Sequence, residues 1–180
     1  MLHGPGSPNE GAPAGELRFT PRSAPAGTES IMNVVSRFLS CDDIVLDVNV
    51  RDKKEALEEA ALAVETRHHL NRAPIFRALR RRELSGSTGL GHGIAVPHAR
   101  IVGISEPIVL LARTKLPIRF GAPDRKPVSV LFVILVPELA TEDHLEILAT
   151  VARMFGDAGF RNRVSAATES AAIHELFRQQ

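Results

Sequence analysis

At 180 residues, 44% of them hydrophobic and 24% charged, the chain has the size and balance of one globular domain able to bury a real core. Twenty-two basic against 21 acidic side chains leave a net charge of +1, which excludes the one-sided basic excess of a dedicated nucleic-acid binder. The absence of Trp and Tyr removes the usual base-stacking platforms as well, and a single cysteine, Cys41, excludes an internal disulfide.

Residues 1–30 are rich in Gly, Pro, Ser and Ala, with few large apolar side chains to offset ordering entropy, so they are predicted to be a disordered extension. The folding part is then residues 31–180, beginning with a short helix over 31–39 on the spacing of Ile31, Val34, Val35, Phe38 and Leu39. Residues 44–50 alternate as a first strand. Asp52 followed by Glu55 resembles a capping box and opens a helix to about Thr66, with Leu57, Ala60, Ala61 and Val64 inward. Asn71 caps a second helix that accepts Pro74 in its first turn and turns Ile75, Phe76 and Leu79 to the core. Arg80, Arg81 and Arg82 suit the negative end of its dipole, and Gly86 terminates it.

The run that follows is Gly86-Ser87-Thr88-Gly89-Leu90-Gly91-His92-Gly93-Ile94-Ala95-Val96-Pro97-His98. Glycines among hydroxyl residues make a loop whose backbone can approach another group closely. Ile94-Ala95-Val96 then reads as a strand, and Pro97 holds Val96 extended, so His98 is presented stiffly at a strand end beside a donor-rich loop. No Lys-Ser or Lys-Thr pair closes the run as in a Walker loop, and its glycine spacing is not that of a dinucleotide fingerprint. Gly-rich turns before strands are also common, so spacing alone leaves a plain loop open beside a reactive histidine.

Residues 107–114 and 128–136 are continuously apolar, as strands covered on both faces are, and Gly121-Ala122-Pro123-Asp124 marks the turn between them. The second of these runs is too short to span a bilayer, and the N-terminus has no signal-peptide core, so the protein reads as cytoplasmic. Thr141 caps a helix with Leu145, Leu148, Ala149, Ala152 and Phe155 on one stripe, ended by Gly156. A shorter helix near 160–166 and a terminal helix from Thr168, with Ile173, Leu176 and Phe177 inward, complete the chain. The order β-α-α-β-β-β-α-α-α predicts the α/β class, with a small mixed sheet between helical layers.

The glycine run closely resembles the active-site motif of phosphotransferase-system IIA domains of the mannitol/fructose type, and most closely the free-standing nitrogen-regulatory IIA proteins. The resemblance extends from about Met32 to the C-terminus and implies a three-layer α/β/α architecture. It also implies that His98, closing the Gly-Ile-Ala-Val-Pro-His segment, carries a phosphoryl group. Imidazole suits that task, because near neutrality one ring nitrogen is a free nucleophile and the phosphoramidate formed stays reactive.

Further residues take roles by the same resemblance. His144, at the start of the Thr141 helix, matches a histidine beside the phosphoacceptor, where the dipole favours anions; an exposed helix-start histidine is the plainer alternative. Arg82 aligns with an arginine near the phosphate, although the sequence does not separate it from Arg80 and Arg81. Backbone N–H groups and hydroxyls of Ser87, Thr88 and Gly89 are expected to cradle the phosphoryl oxygens. His92 is expected to be a bystander or a minor phosphate contact, and His68, His69 and His174 surface or helix-end residues.

The expected activity is that of a phosphocarrier charged by an HPr-like protein, itself charged by an enzyme I that uses phosphoenolpyruvate. No metal or organic cofactor is expected. With no IIB or membrane segment in view, phosphorylation state would regulate protein targets, among which the resemblance suggests sensor kinases and potassium-transport proteins; a homodimer is compatible with it. Two other readings stay open: a IIA component feeding a separate sugar permease through its IIB domain, and a binding module of the same fold without phosphotransfer.

Overall fold

The computed structural model describes residues 34–139 and 143–180, and of Asp143 and His144 the backbone alone. The expected disorder of residues 1–30, the boundary at residue 31 and the Thr141 cap lie outside the described residues. Among these residues there are six strands and five α-helices: β1 (Ile44–Val48), α1 (Lys53–His68), α2 (Arg72–Leu84), β2 (Gly89–Gly91), β3 (Ile94–Ala95), β4 (His98–Ile101), β5 (Ile108–Ile118), β6 (Val128–Pro137), α3 (Asp143–Gly156), α4 (Ala158–Ala166) and α5 (Ser170–Arg178). None of these helices is long and apolar enough to cross a membrane.

The strands form one mixed sheet in the order β1-β5-β6-β3-β2, with β4 also paired to β6. β5 and β6 are an antiparallel hairpin, and β1 runs parallel to β5. β3 and β4 lie one after the other along the free side of β6, both parallel to it, Ala95 opposite Leu131 and His98 opposite Ile134. Both strands advance three residues between those pairs, so β3 and β4 are one line of chain interrupted at Val96-Pro97. Proline has no N–H to give the ladder, which accounts for the break.

Alternation along β6 divides the core. Leu131, Val133 and Leu135 face the α1–α2 layer, packing with Leu57, Ala60, Ala61, Val64, Ile75 and Leu79. Val130, Phe132, Ile134 and Val136 face the α3–α5 layer, with Ile147, Val151, Phe155, Phe160, Ile173 and Phe177. A strand buried on both faces has no polar side to show, so its sequence reads as an unbroken apolar run. The three-layer α/β/α arrangement is the one expected, but five strands and not three lie between α2 and α3, because the glycine run pairs as β2 and β3 and Pro97 separates β3 from β4.

Most local signals act as read, with corrections at α1, at residues 31–39, on α3 and at the terminal helix, which begins at Ser170 and not at Thr168. Asp52 accepts the Glu55 N–H at 2.9 Å and Asn71 the Ala73 N–H at 2.9 Å, so both caps are formed. The box at α1 is displaced by one residue, since the Glu55 carboxylate turns to the Arg51 N–H at 2.9 Å. The helix expected over 31–39 is, in its described part, a single turn in which the Val35 carbonyl accepts from Phe38 and Leu39, followed by a 3₁₀ turn at Cys41–Asp43. On α3 the buried stripe is Ile147, Thr150, Val151, Met154 and Phe155, whereas Leu145, Ala149 and Ala152 are exposed. Two apolar stripes that share Phe155 compete on that helix, and the phenylalanine-lined sheet face selects the one carrying Ile147, Val151 and Met154.

Candidate functional site

The glycine run is a hairpin and not a plain loop. Gly91 pairs with Ile94 and Gly89 with Ala95, around a turn in which His92 and Gly93 take φ of 55° and 82°. Positive φ at both central residues matches the twist of a tight hairpin, and the second is glycine, as that geometry favours. The His92 N–H donates to the Asp124 carboxylate at 2.7 Å, which anchors the turn to the β5–β6 connection.

Gly89 is required for a different reason. A Cβ there would sit 2.8 Å from both Cα and Cβ of Ala122, closer than packed atoms stand. The close approach that the sequence implies for this glycine is therefore to its own chain. The Ser87 hydroxyl donates to the Phe120 carbonyl at 3.2 Å and accepts the Gly89 N–H at 3.2 Å. Thr88 is buried and gives both its N–H and its hydroxyl to one oxygen of Glu83, at 2.9 and 2.5 Å.

His98 opens β4 directly after the Pro97 break. Its Nδ1 lies 2.9 Å from the Val96 carbonyl, which can only accept, so Nδ1 carries the proton. Its Nε2 lies 3.0 Å from Arg82 Nε, which can only donate, so Nε2 holds the lone pair. Both neighbours thus select one neutral tautomer. Burial pushes the His98 pKa below the ordinary imidazole value; the Val96 bond works against that shift, the Arg82 charge adds to it and the Glu83 charge opposes it.

Of the three consecutive arginines, Arg82 is the one bonded to His98, and its Nη1 also donates to the Gly86 carbonyl at 2.9 Å. Arg80 and Arg81 are exposed. Leu148 and Ala152 of α3 close a recess of about 250 Å³ with His98, Arg82, Val96 and Leu90. The backbone of His144 lies in the first turn of α3; its side chain lies outside the described residues. His68 bonds Asp43 at 2.7 Å and belongs to the α1 end. Among the described residues no three His, Cys, Asp or Glu side chains gather as a metal site.

Sequence reading missed Glu83. Its carboxylate is 4% exposed and takes Lys53 Nζ at 2.9 Å besides the two Thr88 donors. The signal was present: Ile75, Leu79 and Glu83 recur every four residues on the buried face of α2, and a carboxylate there needs partners.

The family model described as "Phosphoenolpyruvate-dependent sugar phosphotransferase system, EIIA 2" matches residues 37–180. A nitrogen regulatory protein of Pseudomonas aeruginosa is 42% identical over 125 residues, covering 69% of this chain and 81% of that protein. A phosphotransferase-system fructose-specific EIIA component of Haloferax volcanii is 36% identical over 115 residues, 64% of this chain and 75% of that protein. The crystal structure of the nitrogen regulatory protein IIA-Ntr from Neisseria meningitidis superposes with a TM-score of 0.76 at 39% identity, covering 80% of this chain and 99% of that one.

Proposed function

The chain belongs to the EIIA 2 family of the phosphoenolpyruvate-dependent sugar phosphotransferase system, and from that premise we propose that it is a cytoplasmic phosphocarrier accepting a phosphoryl group on Nε2 of His98. The donor is the phosphohistidine of an HPr-like protein. The observation that carries this reading is the tautomer: Nδ1 is committed to the Val96 carbonyl, and the nucleophilic lone pair stands on Nε2, facing Arg82.

In the transfer, the Nε2–P bond forms as the P–N bond to the donor ring breaks, its electron pair returning to that ring. The protein's task is alignment and stabilisation of the oxygens in flight. The Arg82 fork, already at Nε2, shifts onto the phosphoryl oxygens as the new bond forms. His144 assists from the first turn of α3, where the helix dipole favours an anion. Of the loop donors, the Ser87 hydroxyl is assigned to a phosphoryl oxygen, for which it would leave the Phe120 carbonyl at 3.2 Å, a longer bond than those that hold Thr88 to Glu83.

The relatives named nitrogen regulatory proteins support a regulatory output, in which the dianionic group on His98 changes the binding of protein targets, a sensor kinase or potassium transporter among the candidates. The Haloferax fructose-specific relative supports the second reading, a IIA component that passes the group to a separate IIB protein. Incubation with phosphoenolpyruvate, enzyme I and the HPr-like carrier should add one acid-labile phosphoryl group by intact mass, absent from His98→Ala. An unmodified wild type in the presence of active donors overturns the phosphocarrier reading. Loss of the label to an added cognate IIB would select the transport branch.

A further inference from the structure

Both ring nitrogens of His98 are linked by hydrogen bonds to one end of α2, Nε2 directly and Nδ1 by way of Val96 and Thr88. Arg82 reaches Nε2 directly at 3.0 Å. Its chain neighbour Glu83 points into the protein, takes Lys53 Nζ on Oε1 at 2.9 Å, and takes the Thr88 N–H and hydroxyl on Oε2 at 2.9 and 2.5 Å. Thr88 offers its carbonyl to the Val96 N–H at 2.9 Å, and the Val96 carbonyl accepts from Nδ1 of His98 at 2.9 Å. An unbroken series of hydrogen bonds therefore runs from the first turn of α1 to the second nitrogen of the histidine.

We infer that Glu83, with Lys53 as its counter-charge, is a positioning residue that sets the Nδ1–H tautomer and ring orientation of His98 through Thr88 and Val96. The inference rests on the reading of His98 as phosphoryl acceptor. Fold stability alone does not account for a carboxylate at this place. Glu83 continues the apolar stripe of Ile75 and Leu79, where an apolar side chain would pack, and its ion pair is only part-buried, with the Lys53 side chain 36% exposed, so the pair itself contributes little to stability. What an apolar residue does not supply is an acceptor for the two Thr88 donors. Thr88 fixes Val96, and Val96 fixes the ring; a displacement of about 1 Å in a reacting group costs on the order of 100-fold in rate. Arg82 and Glu83, adjacent in sequence but opposite in direction, thus divide the two nitrogens between them.

The test uses ¹⁵N chemical shifts of the His98 ring in the free protein, which report the tautomer without any donor. Single-turnover phosphoryl transfer and the donor KM are measured beside them. Wild type should show Nδ1 protonated and Nε2 unprotonated. In Glu83→Leu the two shifts should move toward a mixed-tautomer average, and transfer should slow roughly tenfold or more at unchanged donor KM. Glu83→Gln keeps an acceptor oxygen for Thr88 and should fall between. Should Glu83→Leu not fold, Thr88→Val, which removes the 2.5 Å bond at nearly constant shape, should move the ring shifts in the same direction. Wild-type ring shifts in the folded variant overturn the inference, whether or not the rate has changed. Wild-type protein that accepts no phosphoryl group would instead overturn the function while leaving the ring shifts to judge Glu83.

Discussion

An exposed imidazole is half protonated near pH 6.5, and a protonated Nε2 has no lone pair with which to attack phosphorus. At His98, burial first and then the Arg82 charge lower the pKa, so the neutral form persists into mildly acid solution. The rate of phosphoryl acceptance should therefore stay level from about pH 8 through the ordinary imidazole value of about 6.5, and decline only below it, in a single-turnover pH series. The linkage has the same sign. A lowered folded-state pKa means that the unfolded chain takes the proton first, so the His98 contribution to stability is complete above the ordinary value and is lost as pH falls through the folded one. Removing the guanidinium while keeping bulk, in Arg82→Met, should raise the His98 pKa toward the ordinary value in an NMR titration and slow transfer at the same time. An unmoved pKa would mean that Arg82 does not act on the ring electrostatically.

Short elements around the site owe their shape to packing more than to propensity. β2 and β3 have three and two residues, too few to stand alone, and are held by the β6 ladder, the Asp124 anchor and the contact of Gly89 with Ala122. Gly89→Ala should cost about 1–3 kcal/mol by urea denaturation, as overpacking does, and Ala122→Gly in the same chain should restore part of it. No such relief is available for Gly91, where the obstacle includes φ of 92°. The α2 cap is a milder case: Asn71→Ala should lose about 1 kcal/mol, read from the same denaturation midpoint, with His98 chemistry intact.

Across the whole molecule, the two sheet faces have different jobs. The α1–α2 side carries Arg82, Glu83 and Lys53, so the packing of small residues such as Ala60 and Ala61 sets the height of the site's framework. The other side is held by Phe132, Phe155, Phe160 and Phe177, whose ring centroids lie 5.1–6.1 Å apart, mostly edge to face. Phe177, fully buried and near the C-terminus, fastens α5 to the same cluster as Phe155 of α3, the helix that closes the recess at His98. Phe177→Ala should lose about 3–5 kcal/mol in equilibrium unfolding. Transfer by the fraction that remains folded should be little changed, because Arg82 stands on α2 in the opposite layer and the His98 ring is held by Arg82 and the Val96 carbonyl.

The class of fold was legible in the sequence, since continuous apolar runs mark doubly covered strands and the caps at Asp52 and Asn71 mark helix starts. The place of His98 after proline and beside the glycines made it a candidate, and the family resemblance of the run gave that candidate its role. What tertiary structure alone decided concerns partners distant along the chain. Arg82 separates from Arg80 and Arg81 because its Nε is the arginine donor that reaches His98 Nε2, at 3.0 Å, although Arg81 also lines a recess beside β4. Gly89 is glycine because Ala122 returns to within van der Waals distance of it. α3 buries the stripe of Ile147 and Phe155 because the facing sheet carries Phe132. Glu83 finds Lys53 thirty residues away and Thr88 five residues on. Local pattern encodes which faces of an element can be buried, whereas the choice between competing faces and the hydrogen-bond network are decided by how the elements are brought together.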